Sequence, residues 1–455
     1  MYDLVVKGGL LVNPTGSFLG TIAVREGKIV AVAMDSEKLQ AGEVIDASGK
    51  LVFPGMIDCH IHFNDPGFEW REDFIHGSQS AAAGGVTTVI DMPLQNIPPV
   101  TTAAAFDAKI AHLKDRSVVD YALWGGLVDN NIEEMEGLYQ KGVVALKAFL
   151  SPTTPEYSMV TIGLLREALK SAAQIGIIIG IHCEDASILT HEEQKAQKEN
   201  RCNVEDFLAS RPPAAELLAV ESVLRLMEET GARVHICHVS HPEVAARIKQ
   251  AQDSGLPVTA ETCPHYLVFS AESLKEKGPL LKCAPPLRSR QDVANLWSYL
   301  VNGTISCIAS DHSPCTLEEK EIGASNIWQA WGGISGVQTT FQIMFNEMVH
   351  KRNLKPECLA TVFSYNPAIT FGLYPRKGNL YPGADADLVI VDPHYSWEIT
   401  PDELFYKNKI SAFAGMRGKG IIEQTLVRGQ TVYARGQLKA KPGYGAFISP
   451  LRPSI

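Results

Sequence analysis

The sequence has no apolar run long enough to cross a bilayer: stretches such as IGIIIGI at residues 175–181 fall far short of the roughly 20 residues a spanning helix needs. It also lacks an excess of basic residues. With 41 Lys and Arg against 51 Asp and Glu, the formal net charge of −10 argues against a nucleic acid or an anionic membrane as partner, since both demand a basic face. A small molecule is the expected partner. The nine cysteines contain no Cys-x-x-Cys pair, and an odd, scattered set reads as the reduced thiols of a cytoplasmic protein. The opening MYDLVVKGGLLV has neither a basic region nor a small-residue cleavage site, so no secretory signal is expected.

At 455 residues the chain exceeds the ~250 to 300 at which one core stops growing, which predicts a large domain with a smaller companion. DLVVKGGLLV, TIAVREGKIVAVA and EVIDASGKLV near the start have hairpin texture, and the same texture returns in ADLVIVD (386–392) and TLVRGQTVYARGQL (425–438). Neither end can bury a sheet face alone. One small β-sandwich built from both ends, 1–52 and 376–455, is therefore expected around an inserted domain at 53–375. That insert alternates short apolar runs with amphipathic stretches. Its eight candidate strands are 55–62, 87–92, 118–127, 143–149, 175–183, 232–240, 257–263 and 304–312. Eight βα units predict an α/β fold, a (β/α)8 TIM barrel with a few long loops.

Barrel strands alternate between interior and helix layer, and active sites form at their C-terminal ends. Alternation places Asp58, His60 and His62 on one face of the first strand, Ala145 and Lys147 on the fourth, and Ile178, Gly180 and His182 on the fifth. It places Val234, Ile236 and His238 together on the sixth and Ile305, Cys307, Ala309 and Asp311 on the eighth. His60, His62, Lys147, His182, His238 and Asp311 would then converge at one mouth. An isolated strand histidine is ordinarily a hydrogen-bonded core residue, and His235, His241, His265 and His350 are placed in that class. An inward His-x-His pair points instead to metal, because both imidazoles reach one ion.

Lys147 is harder to read as structural, since a buried, unpaired ammonium is expensive. An ion pair with Asp58 or Asp311 is the structural alternative. Charge counting favours another answer: beside two divalent cations, Asp311 and a hydroxide, a lysine carbamate brings the total to about +1, where an ammonium would leave about +3. Burial and neighbouring cations favour the neutral amine that reaction with carbon dioxide needs.

PGMIDCHIHF, LKAF, IHCED, HICHVS and ASDHSP, in this order between KGGLLVNPTG and ADADLVIVD, resemble the cyclic amidohydrolases, the group of dihydroorotases, dihydropyrimidinases (hydantoinases) and allantoinases. The resemblance runs over nearly the whole chain. It implies a metal-bearing barrel beside a composite β-sandwich, with His60, His62 and Asp311 on one divalent ion and His182 and His238 on the other. It also implies N6-carboxylated Lys147 bridging both ions, zinc as the expected metal, a metal-bridging hydroxide as nucleophile, Asp311 as the proton carrier and, by analogy, a homotetramer. Some relatives of this fold have lost ligands and act as scaffolds; all six positions are intact here.

Dihydroorotases carry an Arg two residues after His-x-His and an Asn after a downstream Met-Pro, which together clamp a carboxylate; here those positions are Asn64 and Leu94. Asn64 suits a neutral ureide, or simply forms a turn before Asp-Pro-Gly. The tyrosine that dihydropyrimidinases place five residues after the lysine is Pro152 here. HFNDPG, MPLQNIPP, KCAPPLR and WQAWGGISGVQ are similar to allantoinases, which implies opening of the hydantoin ring of allantoin. Hydantoinase- or dihydroorotase-like activity is the alternative. Ala284 matches a position that contacts the ring. Phe68 and EWRED depart from the Pro-Gly-Arg of many allantoinases, and Arg71 is a candidate for the missing cationic role.

Overall fold

The computed structural model describes residues 1–34 and 39–452; the last three positions of the C-terminal segment lie outside the described residues. Tyr2–Asn13 is the hub of a terminal sheet. Its first half pairs in parallel with Ala41–Asp46, its second half with Leu51–Pro54, and its other edge runs antiparallel to Gly16–Arg25. Leu51–Pro54 then pairs with Leu388–Glu398, which continues through Arg417–Val427, Gln430–Ala434 and Gln437–Leu438. The two ends of the chain therefore build one nine-stranded sheet. It closes over an apolar core that mixes Leu4, Val6, Leu11 and Ile22 from the start with Leu388, Ile390 and Leu426 from the end.

After Gly55 the chain passes directly into the barrel. The parallel strands are Met56–Ile61, Val86–Asp91, Asp120–Leu123 continued by Gly125–Gly126, Leu146–Phe149, Ile179–His182, Val234–Ile236, Val258–Thr262 and Cys307–Ile308. All eight expected strands are present. The third is broken at Trp124: Asp120–Leu123 pairs back with Val86–Asp91, and Gly125–Gly126 pairs forward with Leu146–Phe149. Closure between the last strand and the first rests on His62 N–H donating to His312 O at 2.8 Å.

Two apolar clusters separate the faces of these strands. Ile57, Cys59, Ile90, Ala122, Trp124, Ala145, Ile178, Cys307 and Ala309 fill the barrel, while Met56, Val89, Leu146, Ile179, Val234 and Ile236 pack outward against the helices. The Trp124 indole spans the interior, donating to Cys59 O at 2.9 Å, and a Cβ on Gly180 would collide with it. This sorting corrects the expected alternation on the eighth strand, where Ile305 joins the outer cluster while Cys307 and Ala309 stay inside, and twice more. Val234 and Ile236 face outward and His235 inward, and on the first strand Ile57 and Cys59 belong to the filled interior while Ile61 lies outside. A register shift between Asp58 and Ile61 produces the second change of face. Among the described residues no helix is long and apolar enough to cross a membrane.

Candidate metal centre

His60 and His62 leave the first strand at its C-terminal end, just past the register shift, and both turn Nε2 toward Asp311 Oδ1 at 3.3 Å. His182 ends the fifth strand and His238 follows the sixth, with His182 Nδ1 3.1 Å from His238 Nε2. The His60 and His238 rings stand 5.3 Å apart, which joins the two pairs. His238 reaches the mouth although its strand faces the other way, because its backbone is left-handed at φ 37°. Asp311 at φ 44° and Asn64 at φ 58° share that conformation. Outside glycine it costs about 1–2 kcal/mol per residue and clusters at functional sites.

Two buried carboxylates aim the imidazoles. Glu184, two residues beyond His182, accepts from His182 Nε2–H at 2.7 Å, and Arg211 backs it with an ion pair. Burial alone would raise the Glu184 carboxyl; the Arg211 guanidinium and the His182 N–H override it and hold it at about 2. Glu261, near the end of the seventh strand, accepts from His60 Nδ1–H and from His235 Nε2–H at 3.2 Å. Against burial, these two imidazoles hold it well below the usual carboxylate range. With protons fixed on His182 Nε2 and His60 Nδ1, the lone pairs of His182 Nδ1 and His60 Nε2 face the cluster, as a metal requires. Burial, then the Lys147 charge, push His60 below the ordinary imidazole range; burial does the same for His182, and burial with His182 for His238. All three are held neutral. Asp311 is held ionised, against burial, by His60, His62 and His238.

Lys147 lies opposite Gly180, two residues before His182 on the neighbouring strand, fully buried, and its Nζ has no hydrogen-bond partner among the described residues. It pairs with neither Asp58 nor Asp311. Asp58 instead accepts from Ser310 N at 3.1 Å, below the mouth. An orphaned amine beside four imidazoles and a carboxylate fits a metal centre that completes its bonding, and His60, His62 and Asp311 already form a candidate ligand triad.

Asn64 is buried, donating from Nδ2 to His62 O at 3.3 Å, with Oδ1 unpartnered; its own carbonyl accepts from Phe68 N, so it also makes the turn. Ala284 is half-buried, between buried Cys283 and Pro285. Arg71 is committed elsewhere, donating to Glu319 at 2.6 and 2.8 Å and lying 3.7 Å over the Trp331 ring, which removes it as a free cation for substrate. His235 is a hydrogen-bonded core residue as expected; His350 is hydrogen-bonded but only half-buried, and His241 caps a helix by accepting from Glu243 N. His265 departs from that class, since neither of its ring nitrogens has a partner. Sequence reading gave no role to Glu184 or Glu261, although an acid inside or directly after an apolar strand was the available signal. A cleft of about 810 Å³, lined by Trp397, Phe405, Tyr433 and Gln338, shares no residue with the cluster.

Comparison with known proteins places this geometry. The model of the amidohydrolase family matches residues 51–432. An allantoinase of Rubrobacter xylanophilus is 40% identical over 99% of this chain and 98% of its own length, and one of Escherichia coli K12 is 37% identical over 95% of each. Among solved structures, the L-hydantoinase (dihydropyrimidinase) of Arthrobacter aurescens superposes with TM-score 0.97 at 35% identity, covering 99% of this chain and all of its own. The dihydropyrimidinase of Brevibacillus agri NCHU1002 gives 0.93 at 28%, covering both chains fully. The match spans the barrel and reaches into both arms of the terminal sheet, and the chain belongs to the amidohydrolase family.

Proposed function

We propose that this chain is a binuclear metal hydrolase that opens the hydantoin ring of allantoin to give allantoate, with residues 53–375 as the catalytic barrel and 1–52 with 376–455 as the companion domain. The observation that carries the metal reading is the buried, unpartnered Lys147 Nζ in a cluster of four imidazoles, three of them held neutral, and an ionised aspartate. His60, His62 and Asp311 would hold one cation and His182 and His238 the other. Lys147, carboxylated by carbon dioxide, would supply the anion shared by both, and zinc suits the imidazole-rich donor set. When bound, two such cations supply a water acidified toward neutral pH and an electrophile for the amide carbonyl.

The remaining work falls to side chains. Asp311, ionised and 13% exposed, is placed to accept a proton from the attacking water and return it to the departing ring nitrogen. Asn64 Oδ1, buried without a donor, is suited to a ureide N–H, and the half-buried Ala284 backbone to a second contact with the ring. With Asn64 and Leu94 at the clamp positions and Arg71 held by Glu319, none of these three positions offers a free cation to a substrate carboxylate, which disfavours dihydroorotate. The allantoinase relatives at 37–40% identity support allantoin.

A hydantoinase reading has its own support in the TM-score of 0.97 to an L-hydantoinase and in the apolar Phe149 ring stacked on His182. Ring opening of allantoin, hydantoin, dihydrouracil and dihydroorotate by the metal-loaded protein separates the two. Preference for allantoin is the expected result; preference for hydantoin or dihydrouracil would overturn the substrate and keep the site. Cytoplasmic location and a homotetrameric state complete the reading, the latter checked by light scattering.

A further inference from the structure

His265 begins the turn of helix after the seventh barrel strand, in Pro264–Val268, and is 1% exposed. A neutral imidazole has one donor and one acceptor, and leaving both unpaired in an interior is costly. The other buried histidines outside the proposed ligand set use their rings: His235 on Thr259 and Glu261, His241 on Glu243 N, His312 on Gly336 N. His265 uses neither nitrogen. What it faces is specific. A ring nitrogen, the Cys263 thiol and an Asp311 carboxylate oxygen lie within 4.8 Å of one another, close enough for a single water to bridge imidazole and carboxylate. Among the described residues, the ring contacts to Asp311 from His60 and His62 both fall on Oδ1.

We infer that His265 is a positioning residue for proton transfer: as a neutral imidazole it donates, through one water, to the Asp311 carboxylate and fixes its rotation between nucleophile and leaving group. This rests on the ring-opening reading. In that step the water oxygen bonds to the amide carbon and one water proton passes to Asp311. The ring C–N bond then breaks with its electron pair on nitrogen, which takes the same proton from Asp311. The second water proton stays with the new carboxyl group, so the sum is addition of one water and Asp311 ends as it began. His265 exchanges no proton; it sets the direction in which Asp311 points.

The test compares wild-type protein with His265→Leu, which removes both polar atoms, and His265→Gln, which restores a donor and an acceptor. Each is loaded with zinc and bicarbonate and assayed on whichever cyclic ureide the wild type opens. Expected for His265→Leu is a fall in kcat of roughly 10- to 100-fold, part of what acid–base catalysis contributes. KM should stay within about twofold, the bound zinc should be unchanged, and the solvent deuterium isotope effect should rise as proton transfer becomes more limiting; His265→Gln should recover most of the kcat. Wild-type kcat in His265→Leu overturns the inference, as does a loss that follows zinc content or one that His265→Gln leaves uncorrected. A wild type that opens none of the four rings defeats the functional reading itself, an outcome distinct from these.

Discussion

Lys377 and Lys147 sit at opposite ends of the same barrel, both buried, in opposite company. Lys377 meets Asp120 at 2.6 Å, Asp387 at 2.6 Å and Asp385 at 3.0 Å, pinning the C-terminal segment to the base of the third strand, where Arg428 joins Asp120. Among the described residues, Lys147 Nζ has no hydrogen-bond partner. Lys282 and Lys320 lie between these extremes, paired only with backbone carbonyls: Ala330 O at 2.7 Å for the first, Gly333 O at 2.6 Å and Trp331 O at 2.9 Å for the second. A fold that supplies three carboxylates to one buried lysine and a carbonyl cradle to two more leaves one bare only where another group completes it. On the proposed reading, that contrast separates a structural lysine from a metal ligand.

Replacing each lysine tests the contrast most strongly. Lys147→Ala should abolish turnover, by about a thousandfold or more, if the several kcal/mol that metal ions supply to the transition state is lost. Its metal-free form should be at least as stable as wild type, because a buried, unpartnered amine has been removed. Added short-chain carboxylic acids, standing in for the carbamate, should partly restore activity. Lys377→Ala should do the reverse, costing about 3–5 kcal/mol of stability by stranding buried carboxylates. Denaturant titration and steady-state assays on both variants read the result, and equal destabilisation would erase the distinction.

Asp311→Asn should lower kcat by about 10²- to 10⁴-fold with KM much less changed, measured by initial rates on metal-loaded protein. Glu261→Gln, which weakens the aim of His60, should cost about 10- to 100-fold in metal affinity or activity, read by competition with a chelator.

The smallest effect belongs to the intermediate lysines. Burial lowers both Lys282 and Lys320 from 10.5 to about 8. The unfolded chain therefore holds more protons than the folded one between about pH 8 and 10.5, so their contribution to stability rises with pH across that window. In Lys282→Met the change in urea midpoint across the window should be less positive than in wild type; an identical change would contradict the assignment.

The barrel was legible because eight short apolar runs alternate with amphipathic stretches, and the split sheet because hairpin texture occurs at both ends of the chain. Simple alternation placed Lys147 and His182 correctly: the fourth and fifth strands run regularly, with Ala145 and Ile178 inside. It failed at Ile305 on the eighth and on the first and sixth, where the expected residues reach the mouth by other means, His60 through a register shift and His238 through a left-handed backbone. Neither device has a signature when only two-residue periodicity is read. Glu261 and His265 were hidden for a different reason: their meaning depends on what stands opposite, His60 in one case and Asp311 in the other.

The central claim is that Lys147 completes a binuclear centre. Metal analysis of the purified protein after equilibration with zinc and ¹³C-bicarbonate, combined with ¹³C NMR, tests it directly. Two zinc ions per chain are expected, with one protein-bound carbamate signal that disappears in Lys147→Ala together with at least one metal. A wild-type protein that binds two metals without a carbamate signal, or a Lys147→Ala variant that keeps both metals and its activity, would contradict it.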